Sequence, residues 1–115
     1  MRKPVFPIFM LAKDDYSFCE YQSFADLSDC EWPDIEEGMY EGWDSTGRHF
    51  KLLWDRQNQR RVVELEEHPD FKSFEDAVEE YIRRYANSKH RKGFYETDGQ
   101  RLRKVIAAFR NKKVE

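Results

Sequence analysis

Residues 39–67 read MYEGWDSTGRHFKLLWDRQNQRRVVELEE, and no other part of the chain carries a stronger structural signal. Met39 to Trp43 and His49 to Trp54 read as strands. Asp44-Ser45-Thr46-Gly47 lies between them, with Asp first and Gly fourth, as a type I turn prefers, so the two strands form a hairpin. Phe50, Leu52 and Trp54 alternate and fall on one face of their strand. Gln57-Asn58-Gln59 is a second tight turn, and Arg61 to Glu67 is a third strand with Val63 and Leu65 on one side. Together these make a three-stranded meander over about residues 39–67.

Upstream, Val5 to Leu11 has the length and composition of a buried strand, with Pro7 pushing it toward a sheet edge or an irregular start. Lys13-Asp14-Asp15 is a turn, and Phe18 to Gln22 alternates as a short second strand. Ser23 with Asp26 three residues later resembles a capping box, so a short helix starts there and ends before Pro33. Glu31 to Gly38 then reads as an acidic loop.

Downstream, His68-Pro69-Asp70 closes the meander. Ser73 with Asp76 repeats the capping pattern, with Asp76 at the positive end of a helix. Phe74, Val78, Tyr81, Ile82 and Tyr85 keep helical spacing over about 74–86. Asn87 to Gly93 breaks that helix. Thr97 with Gln100 is a third capping candidate, and Leu102, Val105, Ile106 and Phe109 give a last amphipathic helix to about Asn111. The expected fold is α+β in a single domain, 1–115. An antiparallel sheet, made of the meander and the N-terminal strand, packs on one face against one short and two C-terminal helices. Residues 86–115 form a basic helical tail.

Hydrophobic residues are only 39% of the chain, but nine Phe, six Tyr and three Trp supply core area in few residues and exclude a disordered chain. No run approaches the ~18 apolar residues of a membrane span. Val5–Ala12 is short, interrupted by Pro7 and followed by no small-residue cleavage site, so it does not read as a signal peptide, and the expected location is cytoplasmic. Cys19 and Cys30 read as free thiols of a reducing compartment.

Charge is divided along the chain. Asp14 to Asp44 holds eleven carboxylates and no Lys or Arg, whereas Arg83 to Lys113 holds eleven Lys and Arg against Glu96 and Asp98. The windows carry −11 and +9 within a net charge of −3. Such a division points to a partner or to attraction within the chain more than to chemistry. Catalytic and ligand motifs are missing beside it. There is no Gly-x-Ser-x-Gly, no His or Cys pair with zinc spacing and no Gly-rich phosphate loop. Glu64 and Glu66 share a strand face, where a solvated surface accounts for them better than acid–base chemistry. His49, His68 and His90 read as surface or packing residues. No catalytic residue, metal or cofactor is expected.

Two binding readings remain. In the first, Trp32, Tyr40 and Trp43 are aromatic anchors within a rim of Asp29, Glu31, Asp34, Glu36 and Glu37, a surface suited to a basic protein partner such as a toxin. In the second, Arg83, Arg84, Lys89, Arg91 and Lys92, followed by Phe94 and Tyr95, bind nucleic acid by phosphate neutralisation and base stacking, with the basic tail 83–113 as the module.

The hairpin Tyr40-Glu41-Gly42-Trp43-Asp44-Ser45-Thr46-Gly47-Arg48 resembles a Tyr-x-x-aromatic-Asp-x-x-Gly-Arg pattern of small bacterial proteins, some of them immunity proteins that neutralise a toxin made by the same cell. The helix Phe74-Glu75-Asp76-Ala77-x-x-x-Tyr81 is similar to theirs. The resemblance covers about residues 5–85. It implies a non-enzymatic protein that acts by occlusion and offers no catalytic residues.

Overall fold

In the computed structural model, which describes residues 3–85 and 99–113, five strands form one antiparallel sheet in the order β2-β1-β3-β4-β5. They are β1 (Ile8–Ala12), β2 (Ser17–Tyr21), β3 (Tyr40–Trp43), β4 (Arg48–Asp55) and β5 (Arg60–Pro69). A 3-10 helix spans Phe24–Asp29, and three α-helices follow: α1 (Trp32–Glu36), α2 (Phe71–Tyr85) and α3 (Gly99–Lys113). The α+β architecture and the meander β3-β4-β5 are as the sequence predicts.

Pairing register sorts the side chains onto two faces. Phe9 lies opposite Trp43, Leu11 opposite Phe18, and Trp43 opposite His49, so these share one face. On it, Phe9, Leu11, Phe18 and Trp43 pack against Phe74, Val78 and Tyr81 of α2 and Leu102 and Ile106 of α3. The opposite face carries Ile8, Met10, Tyr21, Phe50, Leu52 and Val63 under Leu27, Cys30 and Ile35. The expectation of a sheet covered on one face is therefore corrected. The short 3-10 helix and α1 seal a second core, because the alternation that buries Trp43 on one side buries Phe50 and Leu52 on the other.

Local chemistry explains the remaining differences. β1 is a central strand, not an edge. Pro7 stands just before it, outside the ladder, where its missing N–H interrupts no pairing. Glu31 to Gly38 is not a loop throughout: Trp32–Glu36 is helical with Pro33 in the first turn, where a proline nitrogen needs no intrahelical partner. The second helix starts at Phe71, not Phe74. Asp70 caps it, accepting a hydrogen bond from the Ser73 N–H at 3.0 Å, and Ser73 sits inside the first turn. Asp76 therefore lies a turn further in and pairs with Lys72. α3 docks through buried Leu102 and Ile106 and continues to Lys113. The break at 87–93 and the Thr97 cap lie outside the described residues.

The hairpin motif is a clasp. Asp44 is fully buried, and its carboxylate accepts hydrogen bonds from the N–H groups of Val5, Thr46 and Arg48 and from the Thr46 hydroxyl. Ser45 adds two bonds to the same N-terminal segment, from its N–H to the Val5 carbonyl and from its hydroxyl to the Pro7 carbonyl. Gly47 has φ +83, and a Cβ there would come within 2.5 Å of the Phe71 ring. A Cβ on Gly42 would collide with the Phe9 carbonyl oxygen. The residues that carry the resemblance thus tie the chain start, the hairpin and α2 together.

Candidate functional site

The face-sorting separates the three expected aromatic anchors. Trp43 is 2% exposed. Its ring stacks on Phe74 with centroids 4.9 Å apart and planes 2° off parallel, and its indole N–H donates to the Ser73 hydroxyl at 2.9 Å. It belongs to the core under α2, so no partner can reach it in the folded chain. Tyr40 is half-buried on the second face, and burial raises its phenol above its ordinary pKa. Trp32 alone is open, 52% exposed on α1, and it lies 6.3 Å from Trp54 of β4. Together with Glu36, Arg56 and Gln59 these two rings line a cleft of about 600 Å³. Arg56 binds the Glu36 carboxylate across it, and the Arg61 guanidinium sits 5.7 Å from the Trp54 ring. Sequence reading misses Trp54 as a surface residue, because its alternation with Phe50 and Leu52 marks it as core. Only the position of α1 shows that the end of β4 emerges beside Trp32.

The acidic window divides in the same way. Asp44 is structural, Asp26 accepts the Ser23 N–H at the start of the 3-10 helix, and Asp15 accepts from Ser17. Glu20 takes two hydrogen bonds from Arg101, both at 2.8 Å, which hold its carboxyl below the usual range. Asp29, Glu31, Asp34 and Glu37 are exposed and make no side-chain hydrogen bond or ion pair among the described residues. They surround Trp32 in sequence along the 3-10 helix and α1.

Comparison of the chain with protein-family models, with curated proteins and with solved structures finds no match. Its chemistry is therefore read from its own residues.

The basic residues are largely answered within the fold. Arg103 pairs with Glu79, Arg110 with Glu75, and Arg83 and Arg84 both with Glu80. Three carboxylates of α2 thus meet the cations of α2 and α3, and Arg101–Glu20 is an ion pair that reaches the acidic window. Lys89, Arg91, Lys92, Phe94 and Tyr95 lie outside the described residues. Arg84 also lies over the Tyr16 ring at 4.4 Å.

No group of three metal-ligating side chains occurs among the described residues, and no described helix is long and apolar enough to cross a membrane. Cys19 and Cys30 are free thiols. Burial pushes the Cys30 thiol up to about 11, so it is protonated at neutral pH and a poor nucleophile.

On the part of the first face that α2 and α3 leave open, His49 lies between two carboxylates, Glu41 at 2.9 Å and Glu66 at 3.4 Å, with its ring beside Trp43. The hydrogen bond to Glu41 raises the His49 pKa above its ordinary value and lowers that of Glu41. A raised histidine pKa stabilises the fold fully below the unfolded value of 6.5 and loses that contribution as pH rises through the folded value. Glu41 acts in the opposite sense, losing its contribution as pH falls through its depressed folded pKa. The pair therefore contributes most in mildly acidic solution. Glu41→Gln is expected to cost about 1 kcal/mol near pH 6 and less at about pH 8.5. Urea unfolding of parent and variant at both values checks this, and an equal cost at both would exclude the linkage.

Proposed function

We propose that the chain is a non-enzymatic binding protein of the immunity type, acting in the cytoplasm, which covers a basic surface of a partner protein with its α1 region. The observation that carries this reading is Trp32, half exposed beside Trp54 and accompanied by four carboxylates with no partner among the described residues, Asp29, Glu31, Asp34 and Glu37. A large aromatic ring within a polar rim has the anatomy of an interface hot spot, and an uncompensated acidic field speeds encounter with a basic partner. A basic nucleic-acid-binding surface of a toxin fits that chemistry.

Capture from a lysate of the native host, treated with nuclease, tests the reading. A basic protein retained by the parent and lost by a Trp32→Ala, Glu31→Lys, Glu37→Lys variant supports it. With the captured protein purified, the charge reversals alone are expected to lower the association rate about tenfold at low salt and to flatten its salt dependence. A partner held equally by the variant, or one that leaves with nuclease treatment, would overturn it.

A further inference from the structure

β5 is the last strand of the sheet, so one side of its ladder has no neighbouring strand among the described residues. No backbone hydrogen bond from any other described segment reaches that side. Exposed edges are ordinarily protected by charge and by proline, and Pro69 does close the far end. The charges of β5, however, are ordered by sign: Arg60-Arg61, then Val62-Val63, then Glu64-Leu65-Glu66-Glu67. Such a strand repels a parallel copy of itself and attracts an antiparallel one.

We propose that β5 pairs antiparallel with β5 of a second copy about a two-fold axis at Val62, joining two five-stranded sheets into one. Direct cross-strand partners must share a sheet face, and this axis satisfies that condition. It sets Arg60 opposite Glu64 of the second copy and Glu64 opposite Arg60, two attractive pairs, with Val62 against its own equivalent between them. All three residues are on the face of Leu53 and Lys51, as the pairs Leu53–Val62, Lys51–Glu64 and Asp55–Arg60 fix. The side chains of Arg60 and Glu64 are both exposed, and Arg60, which pairs with Asp55 of its own chain at 3.4 Å, keeps most of its surface open to a second carboxylate.

Two exposed apolar groups gain a purpose. Leu53 is 39% exposed beside Val62, and the axis turns this pair into a continuous strip, Leu53–Val62–Val62–Leu53, across the seam. On the other face a cleft of about 890 Å³ runs along Gln59–Val63, walled by Phe6 and by Phe24, itself 46% exposed. Leu65 of the second copy falls opposite Gln59, at the rim of that cleft. Because each copy uses the same strand, the contact is isologous and closes at two.

Sedimentation velocity of the full chain over a concentration series tests the pairing. The parent is expected to shift from monomer to dimer as concentration rises. Arg60→Glu and Glu64→Arg each turn both attractive pairs repulsive, and each is expected to raise the dissociation constant at least about tenfold. An equimolar mixture of the two variants restores both pairs in the heterodimer. The two substituted side chains, now of opposite sign, face each other across one pair, and native Glu64 faces native Arg60 across the other. Association should therefore return to the parent level on mixing. Circular dichroism confirms that each variant is folded, and both leave Trp32 and its carboxylates untouched. A parent that stays monomeric up to its solubility limit would overturn the proposal. So would dimers indifferent to either reversal, or variants that fail to associate on mixing.

Discussion

Trp43→Ala is expected to destabilise the chain by about 3–5 kcal/mol, a large part of the ~5–15 kcal/mol that holds a domain of this size. The indole is almost fully buried, lies flat on Phe74, approaches Phe18 with centroids 6.1 Å apart and donates to Ser73. Its removal opens a cavity between sheet and α2 and leaves the Ser73 hydroxyl without that partner. Trp32→Ala removes a ring of the same size from an exposed position and is expected to cost under about 1 kcal/mol. Urea unfolding of the two variants separates them. Similar losses would mean that Trp32 is packed as tightly as Trp43 in solution.

The second large effect belongs to Asp44. Asp44→Ala strands the donors of Val5, Thr46 and Arg48 in a buried site and is expected to cost about 3–5 kcal/mol. Asp44→Asn is the informative companion. Its carbonyl oxygen can keep the bonds to Thr46 and Arg48, whereas its amide nitrogen cannot accept the Val5 N–H that Oδ2 now takes at 2.9 Å. Asparagine should therefore retain the hairpin and the Ser45 bonds but lose the tie to the Val5 N–H, at a cost of about 1–2 kcal/mol. Hydrogen exchange at Val5, fast in the asparagine variant while the Thr46 and Arg48 amides stay protected, checks this. Equal protection at all three would show that Oδ2 is not what holds Val5.

These residues also show how much is legible in the sequence alone. The Asp44–Gly47 turn announces itself because Asp and Gly are required at those positions, and the helical spacing of Phe74, Val78 and Tyr81 follows from one buried stripe. Trp43 and Trp32 are indistinguishable there, both aromatic among acids. Trp43 shares its strand face with Glu41, so alternation does not decide its side. Only Phe9 on the neighbouring strand and α2 above settle it. Pro33 reads as a stop signal but serves equally in a first helical turn. Ser73 and Asp70 are both good caps, and the choice between them rests on Phe71 filling the space that Gly47 leaves open. The acidic window looks uniform in sequence, while hydrogen bonding from distant residues such as Arg101 and His49 divides it into spent and unspent charge.

The two cores differ in when their covers are synthesised. The layer over Ile8, Met10 and Phe50 is encoded at residues 24–36, between the strands it covers, and is complete once β5 has formed. The layer over Phe9, Leu11, Phe18 and Trp43 comes from α2 and α3, which follow all five strands in the chain. A ribosome-bound chain that has just finished its sheet therefore has one sealed side and one apolar side, which stays open until α2 and then Leu102 and Ile106 of α3 have followed. In that interval the uncovered Phe9, Leu11, Phe18 and Trp43 face is the surface through which a partial chain would aggregate.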